Sequence, residues 1–173
     1  MHPLGEVVEA VDVLNGPAWR QAPFTRWSTE ARTALERVEL TPLRALMGNG
    51  VHVPDFLAPP PQRPSPGFED QLRAVLVTDR TLIRREVEGL LCMSNGHSED
   101  GVTPFLHASD AALERLVEAL SACWEGALAP YWRRIRATLE ADMAQRALRL
   151  AGDGPEDLLS ELHPGLTFHE GVL

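Results

Sequence analysis

The side chains able to do chemistry are few and scattered. Histidines stand at positions 2, 52, 97, 107, 163 and 169. None pairs with another at the four-residue spacing that puts two metal ligands on one helical face. Cys92 and Cys123 lie thirty-one residues apart, so no metal site is expected; cap and loop positions are the default reading of the histidines. Glu140 and Asp142 are two apart on a helical stretch and point to different faces, which excludes a close carboxylate dyad. A glycine-flanked nucleophile, a phosphate loop and a dinucleotide fingerprint are all missing. Nothing nominates an enzyme, and no cofactor is expected. Two cysteines in a chain without an export signal read as buried thiols rather than as a disulfide.

The aromatic residues offer the stronger lead. Trp124 and Trp132 are eight apart, with Pro130 between them and Tyr131 adding a hydroxyl. A helix bent there, with Met143 further along, could line an apolar cavity for a small molecule. Trp124, Tyr131, Trp132 and Met143 are therefore the candidate pocket residues, set against the simpler reading that both tryptophans are core.

These residues sit on the stretch that must organise the fold, from Ser109 to about Ala151. Leu113, Leu116, Val117, Leu120, Trp124, Ala127 and Leu128 recur at spacings of three and four. The period resumes past Pro130 with Trp132, Ile135, Leu139, Met143, Ala147 and Leu150. A straight helix of that length would reach about 64 Å, whereas a compact domain of this size is about 40 Å across. The rod must bend, and Pro130 is the place, because its ring clashes with the carbonyl of Gly126.

The remainder reads as short helices. Leu4–Leu14 is amphipathic and ends at Asn15-Gly16-Pro17. Trp19, Phe24 and Trp27 anchor an irregular segment, and Ser28 caps a helix. The period of that helix, Ala31, Leu35 and Val38, carries it on to Val38; Thr41-Pro42 opens another, stopped by Gly48-Asn49-Gly50. Five prolines between 59 and 66 impose extended geometry; a stiff connector is favoured there over a ligand for a proline-reading module. Helices follow over 67–77 and, capped by Asp79, up to Cys92. Residues 93–104 read as a polar loop, with Ser109 capping the long pair. A last short helix spans 156–162, and 166–172 suggests a strand without a partner. The expected architecture is all-α: a single helical domain over 1–165 of seven or eight helices around the long pair, with 166–173 beginning a strand. That orphan strand suggests that the natural polypeptide continues.

Charge narrows the partners. The chain of 173 residues carries a net −9, and all sixteen basic residues are arginine. Duplex DNA repels an acidic body unless a basic stripe overrides it. The densest cluster, Arg133, Arg134 and Arg136, shares its helix with Glu140 and Asp142, so a solvated face is favoured over a phosphate site. No run of eighteen apolar residues exists and the N-terminus lacks a signal core; a cytoplasmic protein with no membrane partner is expected.

Three stretches together resemble a known family. They are Val53-Pro54-Asp55-Phe56-Leu57 before the proline run; Trp124-Glu125-Gly126-Ala127-Leu128-Ala129-Pro130-Tyr131-Trp132 followed by Ile135, Leu139–Asp142 and Arg146; and Leu158-Leu159 with Leu162-His163-Pro164, Phe168 and Gly171–Leu173. The chain resembles the helical N-terminal region of ArsR-like winged-helix transcriptional regulators of high-GC bacteria. The resemblance implies a regulator whose DNA-binding winged helix lies downstream and is not present in this chain, so DNA contact cannot be carried over to any residue here. The cysteine cluster that metal sensing would need is also missing. What it implies for these residues is an effector-sensing or dimerising half, with a small apolar effector and a homodimer as expected partners. A structural interaction module without a ligand is the alternative, and DNA binding by this chain itself is the third reading.

Overall fold

The computed structural model describes residues 2–47, 53–60, 65–93, 99–155 and 159. Among them every regular element is helical: α1 (Pro3–Asn15), α2 (Ala18–Gln21), α3 (Thr25–Leu35), α4 (Thr41–Met47), α5 (Phe68–Leu76), α6 (Arg80–Met93), α7 (Glu99–Leu106), α8 (Asp110–Cys123) and α9 (Ala129–Gly152). Seven of these have eight residues or more. A π-helical turn, Trp124–Leu128, separates α8 from α9. The stop at 48–50, the helix expected over 156–162 except for the helical position 159, and the strand expected over 166–172 lie outside the described residues. The chain divides into two compact units, Met1–Tyr131 and Trp132–Leu173.

In the first unit α8 is the axis. Leu113, Leu116 and Leu120 are wholly buried, and the helix packs against α1, α4, α5 and α7. The three- and four-residue spacing of these leucines places them on one stripe. Ser109 starts the helix, its hydroxyl accepting the Ala112 N–H at 3.2 Å. Asp79 does the same for α6, accepting from Thr81 N–H at 2.6 Å and Leu82 N–H at 3.3 Å. Those amides hold its carboxyl below the usual aspartate range.

α1 lays Leu4, Val7, Val8, Val11 and Leu14 into the same core. Its cap is a histidine. His2 Nδ1 accepts the Gly5 N–H at 2.8 Å, so Nε2 carries the proton and donates to the Pro59 carbonyl at 2.8 Å. The ring thereby ties the start of α1 to the proline-rich connector. Gln71 Oε1, buried on α5, takes a further N-terminal amide, Leu4 N–H, at 2.9 Å. Upstream in that connector, a 3-10 turn over Asp55–Leu57 buries Phe56 and Leu57. The Glu86 carboxylate on α6 accepts the Phe56 N–H at 3.0 Å.

Two expectations need correcting. α3 starts at Thr25, and Ser28 lies inside it, buried, its hydroxyl donating to the Thr25 carbonyl at 3.0 Å. A serine that bonds back within the helix looks in sequence like one that caps it. Residues 99–106 form α7 rather than a polar loop. Val102 and Phe105, three apart, are buried, and that short apolar face outweighs the glycine and proline around it.

Candidate functional site

The break between α8 and α9 is a built joint. Pro130 has no N–H, and in an unbroken α-helix its ring would strike the carbonyl four residues back. The chain accommodates it one turn earlier by widening the helix. Ala129 N–H bonds to the Trp124 carbonyl, five residues back, instead of four. Pro130 itself lies inside α9, and the irregular turn falls at 124–128, just before it. Gly126 lets this wide turn press on α3: a β-carbon there would meet Ala34 Cβ and Leu35 Cδ2, both at 3.3 Å. Trp27 on α3 donates its indole N–H to the Ala127 carbonyl at 2.8 Å.

Two of the four candidate pocket residues are consumed by this joint. Trp124 is half-buried and stacks on Phe68, with ring centroids 4.5 Å apart and planes 14° from parallel. Tyr131 donates its hydroxyl to the Glu30 carboxylate, which also pairs with Arg26 Nε at 2.9 Å. The Tyr131 hydrogen bond, with Arg26 behind it, lowers the Glu30 carboxyl below its ordinary value. The same bond raises the Tyr131 phenol. By linkage, the Glu30 contribution to stability is present above the ordinary glutamate pKa and is lost as pH falls through the lowered folded value; that of Tyr131 is present below about pH 10 and lost as pH rises beyond it. Trp132 and Met143 belong to the second unit. Trp132 is half-buried and Met143 is 58% exposed. At 1.5 Å per residue the two lie about 16 Å apart along α9.

Trp27→Phe keeps the ring and removes the donor. It is expected to cost about 1–2 kcal/mol in urea unfolding followed by circular dichroism, because the Ala127 carbonyl loses its partner where the helix is already irregular.

The open volume lies elsewhere in the first unit. Arg84, Glu88, Leu91 and Cys92 on α6, with Leu106 and His107 at the end of α7, line an open groove of about 450 Å³. The spacing explains it: Ile83, Val87 and Leu90 are buried, which turns 84, 88, 91 and 92 outward on the other face. Arg84 Nε donates to the Leu106 carbonyl at 3.1 Å, satisfying one of the C-terminal carbonyls of α7. That helix ends in a paired turn, with Ala108 N–H bonded to the Phe105 carbonyl at 2.9 Å and Ser109 N–H to the Pro104 carbonyl at 3.4 Å. Ala108 sits at φ +45°, a left-handed conformation that glycine would adopt without strain. Ser109 then caps α8 at once, so this strained alanine fixes the groove's α7 wall. The lining offers a cation, a carboxylate, an imidazole, a thiol and two leucines.

Cys92 corrects a further expectation: it is exposed, while Cys123 alone is buried. Burial pushes the Cys123 thiol up to about 11. A disulfide-forming chromogenic reagent at pH 8 is therefore expected to titrate one thiol per folded chain, and the second only after denaturant is added. Among the described residues no group of three histidines, cysteines or acids is placed to hold a metal ion. No helix among them is long and apolar enough to cross a membrane.

The groove was not visible in the sequence as a site, because its α7 wall read as loop and Cys92 read as core. The usable signal was the spacing of Arg84, Glu88 and Cys92 at intervals of four on a helix whose apolar residues fall between them. Comparison with protein-family models, curated proteins and solved structures gives no match.

Proposed function

We propose that this chain is the effector-sensing domain of a bacterial ArsR-like transcriptional regulator, with the α6–α7 groove as the effector's seat. The observation that carries the sensing role is the groove itself. Its volume of about 450 Å³ falls within the range of small-molecule sites. Leu91 and Leu106 provide apolar contact, and Arg84, Glu88 and His107 provide polar groups to orient a ligand. The regulator assignment rests on the resemblance of Val53–Leu57, Trp124–Trp132 and the stretch from Leu158 onward. In this reading DNA contact belongs to a winged helix outside these residues, in keeping with the net charge of −9.

The test is a thermal-shift screen of small apolar and amphipathic molecules against the wild-type chain and Leu91→Arg, which fills the groove with a charged side chain. A ligand at about a hundredfold its Kd should stabilise the wild type by about 2.7 kcal/mol and leave Leu91→Arg unshifted. If both proteins shift equally and tryptophan fluorescence responds, the effector sits near a tryptophan and not in the groove. If no molecule shifts the wild type, the sensing role fails, leaving a structural interaction module.

A further inference from the structure

Arg26 and Glu30, Arg136 and Glu140, and Asp142 and Arg146 stand four residues apart and close into ion pairs, at 2.9 Å, 2.8 Å and 2.7 Å. Arg84 and Glu88 on α6 have the same spacing and do not pair. Arg84 Nε donates instead to the Leu106 carbonyl across the groove at 3.1 Å. That bond turns the guanidinium toward α7 and leaves its terminal N–H groups without an acceptor among the described residues. The Glu88 carboxylate likewise accepts no hydrogen bond from them. One groove thus presents an uncompensated cation and an uncompensated anion beside Leu91 and Leu106.

We infer that the groove takes a zwitterion with an apolar body, in its simplest form a free apolar α-amino acid. This rests on the reading of the groove as a ligand site and narrows the class of ligand. A molecule lying on Leu91 and Leu106 also covers the heads of Arg84 and Glu88. A purely apolar occupant would strip water from two opposite charges and return nothing, a cost that only matching charges offset. A simple carboxylic acid would serve Arg84 but stand against Glu88, in the field of a chain with net charge −9. A simple amine would serve Glu88 and leave Arg84 covered. An α-amino acid answers both: its carboxylate accepts from the terminal N–H groups of Arg84, its ammonium donates to Glu88, and its side chain rests on the two leucines. The spacing suits it. Residues 84 and 88 lie about 6 Å apart along α6. An ammonium and a carboxylate borne on one carbon, each making a charge-assisted contact of about 2.8 Å, bridge that span. Both charged side chains meet solvent, so binding is weak, with a Kd of about 1 mM.

Titration of the full isotope-labelled chain with L-leucine and L-phenylalanine tests it through amide chemical shifts, in about 0.15 M salt to screen the long-range field. At least one should give saturable shifts confined to α6 and the end of α7 at concentrations up to about 10 mM. Its N-acetyl derivative, which lacks the ammonium, and its amide, which lacks the carboxylate, should each bind at least tenfold more weakly. Glu88→Gln should erase the preference over the N-acetyl derivative, and Arg84→Gln the preference over the amide. Arg85→Gln, one position on and on another face of the helix, should keep both preferences. Arg84→Gln also removes the bond to Leu106, so Glu88→Gln decides the matter if circular dichroism shows that the arginine variant loses its fold. Binding of neither amino acid, equal binding of the blocked derivatives, or preferences unchanged in Glu88→Gln would overturn the inference. If a molecule of the thermal-shift screen then still stabilises the wild type and not Leu91→Arg, the effector groove stands and only its ligand class is wrong. If nothing fills the groove, both fall.

Discussion

Leu120→Ala is expected to lower the unfolding free energy by about 3–4 kcal/mol and the Tm by about 10 °C. The side chain is wholly buried on α8, and α8 packs against four other helices, α1, α4, α5 and α7. A cavity walled by several helices collapses poorly, because no one of them can move in without leaving the others. That places the loss well inside the range of about 2–5 kcal/mol for such truncations, where the transfer free energy and the cavity term both count. Urea unfolding followed by far-ultraviolet circular dichroism measures it. Leu148→Ala is the internal comparison: the same chemical change at a residue 75% exposed should move stability by less than about 0.5 kcal/mol. A loss under 1 kcal/mol for Leu120→Ala would mean that α8 is not the axis of the first unit.

The prominence of α8 was legible because its signal is redundant. A capping serine, fourteen helical residues and an apolar stripe all agree, and agreement between levels is what makes a local pattern dependable. The same holds for α1 and for the Asp79 cap. What the sequence misplaced depended on partners far along the chain. α7 is held by Val102 and Phe105 facing a core that only the assembled helices create. Ser28 reads as a cap until its hydroxyl is seen to turn back to the Thr25 carbonyl. Cys92 and Cys123 are the same residue type on two amphipathic helices, and one residue of phase decides which of them meets solvent.

The candidate site shows the same division. Trp124 stands out in the sequence as a large apolar side chain close to Pro130. Its stacking partner is Phe68, fifty-six positions away, and no pattern near either residue announces the other. Pro130 marked the break, but its form, a widened turn closed five residues back, follows from Gly126 fitting against α3 and from Trp27 supplying a donor. Both are tertiary facts. The groove combines two weak local signals, an outward face of α6 and the strained end of α7, and becomes a site only when the two lie side by side.

The close approach of α7 to α4 sets the other large effect. A β-carbon on Gly101 would stand 2.8 Å from Ala45 Cβ, a distance that real methyl contacts do not reach. Neither atom is the end of a flexible chain, so the helices themselves must separate. Gly101→Val, branched at the clashing carbon, is expected to destabilise the fold by about 2–3 kcal/mol. The direction is not obvious, since replacing a helical glycine usually stabilises by close to 1 kcal/mol; here the overlap wins because it is backbone-borne on both sides. The milder Gly101→Ala isolates the cause. Alone it should cost about 1–2 kcal/mol, and Ala45→Gly alone about 1 kcal/mol from helix propensity. Together the losses should fall short of their sum by at least 1 kcal/mol, because removing the Ala45 methyl makes room for the new one. Additive losses in that double-mutant cycle would show that α7 and α4 do not meet at this point, and the α7 wall of the groove would lose the support that α4 provides.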